Sequence, residues 1–224
     1  MDISHELEET LQQLLALCKQ FACHPRLIGG LAVRGFARRK RFTHDIDLTI
    51  TRQELGSFIG ILKQMGFDYQ EQTRFAGVKA TKQVGKVAVE IHISVEQLWD
   101  MTSNTTYKPS ADSAELPITT HLIAPTVSAI DLLILKLMPL RDRDLGDVIA
   151  LMLDVPQFNA REFWANCERT GITEHIIKQL AKLENALKSG QFREAWVTFY
   201  GEKLSMREIY TVLENVQKIK KAKP

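Results

Sequence analysis

Two aspartates one residue apart are the residues of this sequence best suited to bind a metal ion. Asp45 and Asp47 lie in the segment 44–50, HDIDLTI, whose alternation of apolar and polar residues predicts a β-strand. Side chains at positions i and i+2 of a strand point to the same face, so the two carboxylates repel each other and a bound cation would stabilise them. The alternative is an exposed strand end, since aspartate is depleted within strands.

Glu90 is the predicted third carboxylate of this site. It lies in the alternating segment 86–94, KVAVEIHIS, on the polar face together with His92. If this strand neighbours the strand of the aspartates, three carboxylates converge, and oxygen ligands of this kind suit Mg²⁺. Two such ions about 4 Å apart can bind the attacking and the leaving oxygens of a phosphoryl transfer. Glu90 could instead be an exposed edge residue, and His92 is expected beside the ligands or at the surface.

The glycine pair Gly29-Gly30 is a candidate phosphate-binding turn. It follows a short predicted strand, 26–28, and precedes a predicted helix over 31–39. Glycines allow the backbone to approach a ligand closely, and the free N–H groups of a helix start attract anions. The order strand, Gly-Gly, helix, strand would bring these N–H groups beside the aspartates. A lone glycine pair is also common in simple tight turns.

The composition excludes several classes of protein. The chain has 224 residues, of which 45% are hydrophobic and 25% charged, as in ordinary soluble globular proteins. Its net charge of +2 neither requires nor excludes a nucleic-acid partner. No apolar run approaches the roughly 18 residues of a membrane span, and the acidic start of the chain is unlike a signal peptide. Three cysteines without metal-ligand spacing argue against a disulfide framework. We expect a cytoplasmic protein without membrane contact.

The predicted fold is α/β (α+β), with a mixed β-sheet core flanked by helices and a C-terminal all-α extension. We expect a first helix over 4–22, further strands within 67–94, and a long polar loop over 101–125. From Val127 onward the chain is predicted to be helical. The helices should break at Pro139, Pro156, Gly171, Ser189-Gly190 and Gly201, with a capping box at Ser205. The predicted domains are 1–125 and 126–224.

The segment IGGLAVRGFARRKRFTHDIDLTI resembles the nucleotide-binding core of the DNA polymerase beta-like nucleotidyltransferase superfamily. In pattern it is similar to the small nucleotidyltransferases of the abortive-infection toxin kind. Their signature runs Gly-Gly or Gly-Ser, a short helix, then Arg-x-Thr-x-Asp-h-Asp, where h is apolar. The matching positions here are Arg41, Thr43, Asp45, Ile46 and Asp47. The family commonly takes a third aspartate from a later strand, where this chain has Glu90.

A second family signature is an apolar helix with a lysine, followed by Arg-Asp-x-x-Asp. Lys136 and the segment 143–147 match it, so the resemblance covers residues 25–150. Without the resemblance, Lys136 could extend from a helix edge to solvent, and 143–147 could be the acidic start of a helix.

The resemblance implies a Mg²⁺-dependent enzyme that moves a nucleoside monophosphate from a nucleoside triphosphate to a hydroxyl acceptor and releases pyrophosphate. Two metal ions are expected, with Mn²⁺ as an alternative. The implied catalytic and metal-binding residues are Asp45, Asp47 and Glu90, with Glu96 or Asp100 as substitutes for Glu90. The implied nucleotide contacts are Gly29, Gly30, Arg41, Thr43 and Lys136.

The acceptor is not encoded in any motif, so a tRNA, a protein and a small molecule all remain candidates. The helical half would choose it. A toxin of this kind would also have an antitoxin partner. Two other functions stay open: a catalytically silent nucleotide-binding protein that acts through a partner, and an RNA-binding module that uses Arg34 to Arg41 and the basic tail KIKKAKP.

Overall fold

The computed structural model describes residues 4–72, 77–155 and 158–223, and these form two compact units. The first, the sheet unit, comprises Met1–Gly35, Phe42–Leu98 and Ala111–Val127. The second, the helical unit, comprises Phe36–Arg41, Trp99–Ser110 and Ser128–Pro224. Among the described residues no helix combines the length and the apolar composition that crossing a bilayer requires.

The sheet unit begins with an amphipathic helix and continues with alternating strands and helices. Its helices are α1 (His5–Gln20), α2 (Gly29–Phe36, whose last residue is counted with the helical unit) and α3 (Leu55–Gln64). Its strands are β1 (Arg26–Leu27), β2 (Asp45–Ile50), β3 (Asp68–Gln72), β4 (Gly77–Val84), β5 (Val87–Val95), β8 (Ser113–Pro117) and β9 (Ile123–Val127). Two further short strands, β6 (Leu98–Asp100) and β7 (Thr105–Tyr107), pair with each other.

Local chemistry accounts for these elements. The Ser4 side chain accepts a hydrogen bond from the N–H of Leu7 at 3.2 Å and so caps α1. Gly85 has a φ of 59°, a conformation that favours glycine, in the turn that joins β4 and β5 into a hairpin. In β2 the apolar residues Ile46, Leu48 and Ile50 are buried, as the alternation predicts.

The seven strands of the sheet unit form one mixed sheet in the order β3-β4-β5-β2-β1-β9-β8. β2 pairs with β5 in parallel and with β1 antiparallel, while β1 pairs with β9 in parallel. The predicted α/β fold with a mixed sheet is confirmed. The strands of Asp45 and Glu90 are neighbours, which is the condition set for the two side chains to converge.

The prediction of a long loop over 101–125 is wrong, because this segment contains β7, β8 and the start of β9. These strands are only three to five residues long. Two of them include prolines, Pro117 and Pro125, which are rare in central strands. A short polar strand with proline does not show the alternation on which sequence prediction depends.

The helical unit contains α4 (Ala129–Leu137), α5 (Asp142–Asp154), α6 (Ala160–Arg169), α7 (Thr173–Ser189), α8 (Phe192–Tyr200) and α9 (Met206–Lys221). The predicted breaks at Pro139, Gly171, Ser189-Gly190 and Gly201 are confirmed, whereas Pro156 lies outside the described residues. The predicted capping box is present, since the Ser205 hydroxyl and the Glu208 carboxylate each bond the other's backbone N–H.

Candidate functional site

The register between β2 and β5 brings four titratable side chains to one face of the sheet. Asp45 pairs with Glu90, and Asp47 pairs with His92. Paired residues on neighbouring strands point to the same face. Asp45, Asp47 and His92 each offer a ligand atom, and these atoms all lie within 4.8 Å of one another.

Hydrogen-bond partners hold these side chains in place. Thr43 Oγ1 donates to Asp45 Oδ1 at 3.0 Å, and His92 Nδ1 lies 3.4 Å from Asp47 Oδ1. The contact with Asp47 raises the pKa of His92, although partial burial of the ring acts in the opposite direction. A protonated imidazole would therefore offset part of the repulsion between the two aspartates.

Glu90 lies on the predicted face but contacts Lys79 and His92. Lys79 Nζ is 2.9 Å from Glu90 Oε2, and the same oxygen is 3.4 Å from His92 Nε2. The hydrogen bond from Lys79 lowers the pKa of Glu90. The metal-ligand role of Glu90 stays a prediction. Of the substitutes named for it, Asp100 belongs to the helical unit and accepts hydrogen bonds from Ser103.

His92 was expected beside the ligands or at the surface, and not among the ligands. Its position two residues after Glu90, on the same strand face, was the available signal. What could not be read from the sequence is the parallel register that sets His92 directly opposite Asp47.

The polar face continues from β5 across β4 to the edge strand β3. His92 pairs with Lys79, which pairs with Gln70, and Glu90 pairs with Thr81, which pairs with Asp68. A cavity of about 330 Å³ is lined by Asp68, Tyr69, Gln70, Lys79 and Thr81. Lys79 therefore contacts Glu90 and also borders a polar cavity on the same sheet.

Gly29 begins α2 in a conformation that favours glycine, with a φ of 69°. A Cβ placed on it would lie 2.7 Å from the Cβ and Cγ atoms of Asp47. Ile28, the residue before Gly29, donates its N–H to the carbonyl oxygen of Asp47 at 2.9 Å. The first turn of α2, which includes the buried Gly30, is thus packed against the strand of the aspartates.

In the helical unit, the predicted nucleotide contacts Arg41 and Lys136 share one buried carboxylate. Arg41 Nε and Nη2 lie 2.6 and 2.9 Å from the two oxygens of Asp147, and Lys136 Nζ lies 2.8 Å from Asp147 Oδ2. Tyr200 donates its hydroxyl to Asp147 Oδ1 at 2.9 Å. We name Arg41, Lys136, Asp147 and Tyr200 the Asp147 cluster.

The two cations of the Asp147 cluster keep the carboxylate of Asp147 ionised. Burial alone would raise the pKa of Asp147, but Lys136 and Arg41 hold it down at about 2. Lys136 also lies 3.4 Å from Asp144 and is only 7% exposed, so it does not extend to solvent from a helix edge. Sequence reasoning found Asp147 through its motif, whereas nothing in the sequence indicated Tyr200. The triphosphate contacts predicted for Arg41 and Lys136 stay predictions.

The donor set of the sheet unit fits a divalent cation. Asp45, Asp47 and His92 supply two carboxylate oxygens and one imidazole nitrogen from two adjacent strands. Carboxylates suit Mg²⁺ and Mn²⁺, and imidazole is a common ligand of transition metals. Such an ion would remove the repulsion between the aspartates.

No protein-family model matches the chain, and no curated protein matches it in sequence. Solved structures match the chain in fold. JHP933 from Helicobacter pylori is 12% identical, with 99% of this chain and 95% of that chain covered and a TM-score of 0.58. An H. pylori protein described provisionally as a nucleotidyltransferase is 12% identical, with 98% and 97% covered and a TM-score of 0.55. The lincosamide antibiotic adenylyltransferase LnuA, bound to lincomycin, is 17% identical, with 67% and 98% covered and a TM-score of 0.48.

At these sequence identities the likeness concerns the fold. The two H. pylori structures cover nearly the whole of both chains, so the match includes the sheet unit and the helical unit. The sheet and its helices agree with the architecture that the resemblance of residues 25–150 implies. The chain has a nucleotidyltransferase fold, as its likeness to the DNA polymerase beta-like superfamily predicts.

Proposed function

We propose that the protein is a divalent-metal-dependent nucleotidyltransferase, which moves a nucleoside monophosphate from a nucleoside triphosphate to a hydroxyl acceptor. The observation that carries this proposal is the pairing of β2 with β5, which brings Asp45 and Asp47 together with Glu90 and His92. The adjacent start of α2 adds backbone N–H groups for phosphate binding. The nucleotidyltransferase fold supports the same conclusion.

Asp45 and Asp47 would hold the metal ion, with Mg²⁺ as the ion that the resemblance implies and Mn²⁺ as the alternative. When bound, the ion supplies charge neutralisation at the phosphates and lowers the pKa of a coordinated hydroxyl. Thr43 keeps Asp45 oriented through its hydrogen bond. The N–H groups at the start of α2, at Gly29 and Gly30, would bind phosphate oxygens.

In the proposed reaction the acceptor oxygen forms a bond to the α-phosphorus of the nucleotide. The bond between that phosphorus and the oxygen that bridges to the β-phosphate breaks, and pyrophosphate leaves with that oxygen. The proton of the acceptor hydroxyl passes to a carboxylate, for which we propose Glu90. Glu90 is proposed for this role because it is half-exposed and pairs with Asp45 across β2 and β5, on the face of the aspartates.

Arg41 and Lys136 are proposed as triphosphate contacts because they match the two family signatures. In the Asp147 cluster both already have a carboxylate partner. A triphosphate would therefore have to share these cations with Asp147. We further propose that the sheet-bearing half, 1–125, performs the chemistry and that the helical half, 126–224, selects the acceptor.

The decisive experiment incubates the full-length protein and cell extract with each α-labelled nucleoside triphosphate in turn. Label should pass to a macromolecule or small molecule with the wild type, and not with the Asp45→Asn, Asp47→Asn double variant. Digestion of the product with ribonuclease or protease then identifies an RNA, protein or small-molecule acceptor. Metal-dependent nucleotide binding without any labelled product would favour the catalytically silent alternative.

The RNA-binding alternative has less support. Arg34 and Arg41 are 3% and 4% exposed, and Arg38 and Arg39 contact the carboxylates of Asp154 and Glu202. Of the five cations from Arg34 to Arg41, two are exposed, Arg38 and Lys40, which leaves a small basic surface. A toxin role with an antitoxin partner is proposed from the resemblance alone, and co-purification with the product of a neighbouring gene would test it.

A further inference from the structure

We propose that His92 is the third protein ligand of the metal ion at Asp45 and Asp47, and that the site therefore binds first-row transition-metal dications more tightly than Mg²⁺. The inference rests on the proposed function in one respect, namely that Asp45 and Asp47 bind a metal ion. It goes beyond that function by assigning a nitrogen ligand and, with it, a class of metal.

The first argument is distance. Ligands that lie about 2.1 Å from an octahedral ion are about 3 Å apart when adjacent and about 4.2 Å apart when opposite. His92 Nδ1 lies 3.4 Å from Asp47 Oδ1, close to the spacing of adjacent ligands. The ligand atoms of Asp45, Asp47 and His92 all lie within 4.8 Å of one another. Small side-chain rotations would place all three on one ion, with no shift of the strands.

The second argument is the contact on the other side of the imidazole. A histidine that binds a metal usually donates its second ring N–H to a carboxylate or carbonyl, which orients the ring. His92 Nε2 lies 3.4 Å from Glu90 Oε2, and Lys79 holds the same oxygen of Glu90 at 2.9 Å. Nδ1 is thus directed to the aspartates while Nε2 is directed to an oriented carboxylate. A surface histidine would need neither contact.

The metal preference follows from the donor atoms. Mg²⁺ prefers oxygen ligands and keeps several waters, whereas imidazole favours Co²⁺, Ni²⁺, Zn²⁺ and related ions. A site of two carboxylates and one imidazole should therefore bind Co²⁺ more tightly than Mn²⁺, and Mn²⁺ more tightly than Mg²⁺. Replacing the imidazole with an amide should remove most of this ranking while leaving the two carboxylates for Mg²⁺.

The first test is calorimetric titration of the full-length protein with Co²⁺, Mn²⁺ or Mg²⁺ alone. We expect Co²⁺ to bind roughly tenfold or more tightly than Mg²⁺. His92→Gln should weaken Co²⁺ binding roughly tenfold or more and change Mg²⁺ binding by less than about threefold. The matched control is His44→Gln, since His44 is exposed, lies three residues before Asp47 and just outside β2, and does not belong to the ligand cluster.

The second test is decided on the wild type, and two variants assign the signal. Pulsed electron paramagnetic resonance of the Mn²⁺-loaded wild type should show coupling to a coordinated ¹⁴N nucleus, and His92→Gln should lose that coupling while His44→Gln keeps it. Absence of the coupling in the wild type would overturn the proposal. So would Mg²⁺ binding as tight as Co²⁺ binding, or Co²⁺ binding that does not depend on His92.

These outcomes separate the inference from the proposed function, because metal binding is measured without nucleotide. His92-dependent binding without nucleotidyl transfer under any metal would contradict the proposed function alone. Nucleotidyl transfer combined with metal binding that does not depend on His92 would contradict this inference alone.

Discussion

The side chain of Asp47 lies directly against the backbone of Gly29, in the space that a side chain at position 29 would need. A Cβ on Gly29 would lie 2.7 Å from two carbon atoms of Asp47, closer than real Cβ atoms approach other atoms. Gly29 also has a φ of 69°. The position of the aspartate and the start of α2 are therefore coupled, and a change at residue 29 acts on the metal site through Asp47.

Gly29→Ala is expected to weaken metal binding and to lower the melting temperature, because the new methyl group displaces Asp47 and the backbone conformation becomes strained. The control is Gly60→Ala in α3, where a Cβ meets no atom within 4 Å. This control should raise stability by about 0.5–1 kcal/mol, since alanine favours a helix interior. Calorimetric titration measures the metal affinity of the two variants, and thermal unfolding measures their stability. Unchanged metal binding in Gly29→Ala would contradict the coupling.

Replacing both aspartates, Asp45→Asn and Asp47→Asn, is expected to abolish nucleotidyl transfer and leave the fold intact. Without metal, the melting temperature should rise slightly, because the two carboxylates no longer repel each other. Circular dichroism and the labelled-nucleotide assay provide the measurements. A double variant with wild-type transfer activity would show that the two aspartates do not hold a catalytic metal ion.

Glu90→Gln is expected to leave nucleotide affinity within about threefold and to lower turnover roughly 10²-fold or more, the usual size of a lost proton acceptor. The amide oxygen can still accept a hydrogen bond from Lys79, so the local structure should persist. The control is Glu71→Gln in β3, which pairs with the buried Val78 and so lies on the other face of the sheet. Equal turnover in the two variants would mean that Glu90 is only an exposed edge residue.

Asp147→Asn is expected to lower the free energy of unfolding by about 3 kcal/mol, because removing one partner of a buried ion pair leaves an uncompensated charge. Arg41, Lys136 and Tyr200 would all lose this charged partner, although Lys136 keeps its 3.4 Å contact with Asp144. Glu174→Gln is the control, since Glu174 is 81% exposed and its contact with Lys223 is 3.5 Å long. Urea unfolding should show a change below about 0.5 kcal/mol for the control.

Asp147 should also produce a pH dependence of stability. Its pKa falls from an ordinary 3.8 to about 2 in the folded protein, so its stabilising contribution is complete above about pH 4 and is lost as the pH falls toward 2. The loss should be on the order of 2 kcal/mol. Urea unfolding at several pH values should therefore show a steeper decline for the wild type than for Asp147→Asn. Parallel curves would contradict the assignment.

The sequence predicted the parts of the fold that depend on local patterns. The alternation around Asp45 and Glu90 identified two strands and their polar faces, and glycine and proline located the turns and helix ends. The prediction of a loop over 101–125 was wrong because the strands in this segment are too short to show a period. An alternation of apolar and polar residues can be recognised only over several residues, and a strand of three residues is too short to show it.

The sequence predicted those residues of the candidate site that lie together in one motif. Asp45 and Asp47 are neighbours along one strand, so their common face follows from the chain itself. The place of His92 depends on the register between strands that are far apart in the sequence, which is a property of the folded sheet. The same holds for Arg41 and Asp147, whose contact spans 106 residues.

The sheet order has a consequence for how the protein folds. The hairpins β3-β4-β5 and β8-β9 join neighbouring segments, but the pairing of Leu27 with Thr126 and of Asp45 with Glu90 joins segments that are remote along the chain. Long-range pairing closes large loops and is slow. The carboxylates and His92 should thus meet late, after the hairpins form, and a ribosome-bound chain that ends before residue 126 would lack the β1–β9 pairing. Recovery of metal binding should lag behind recovery of strand content during refolding.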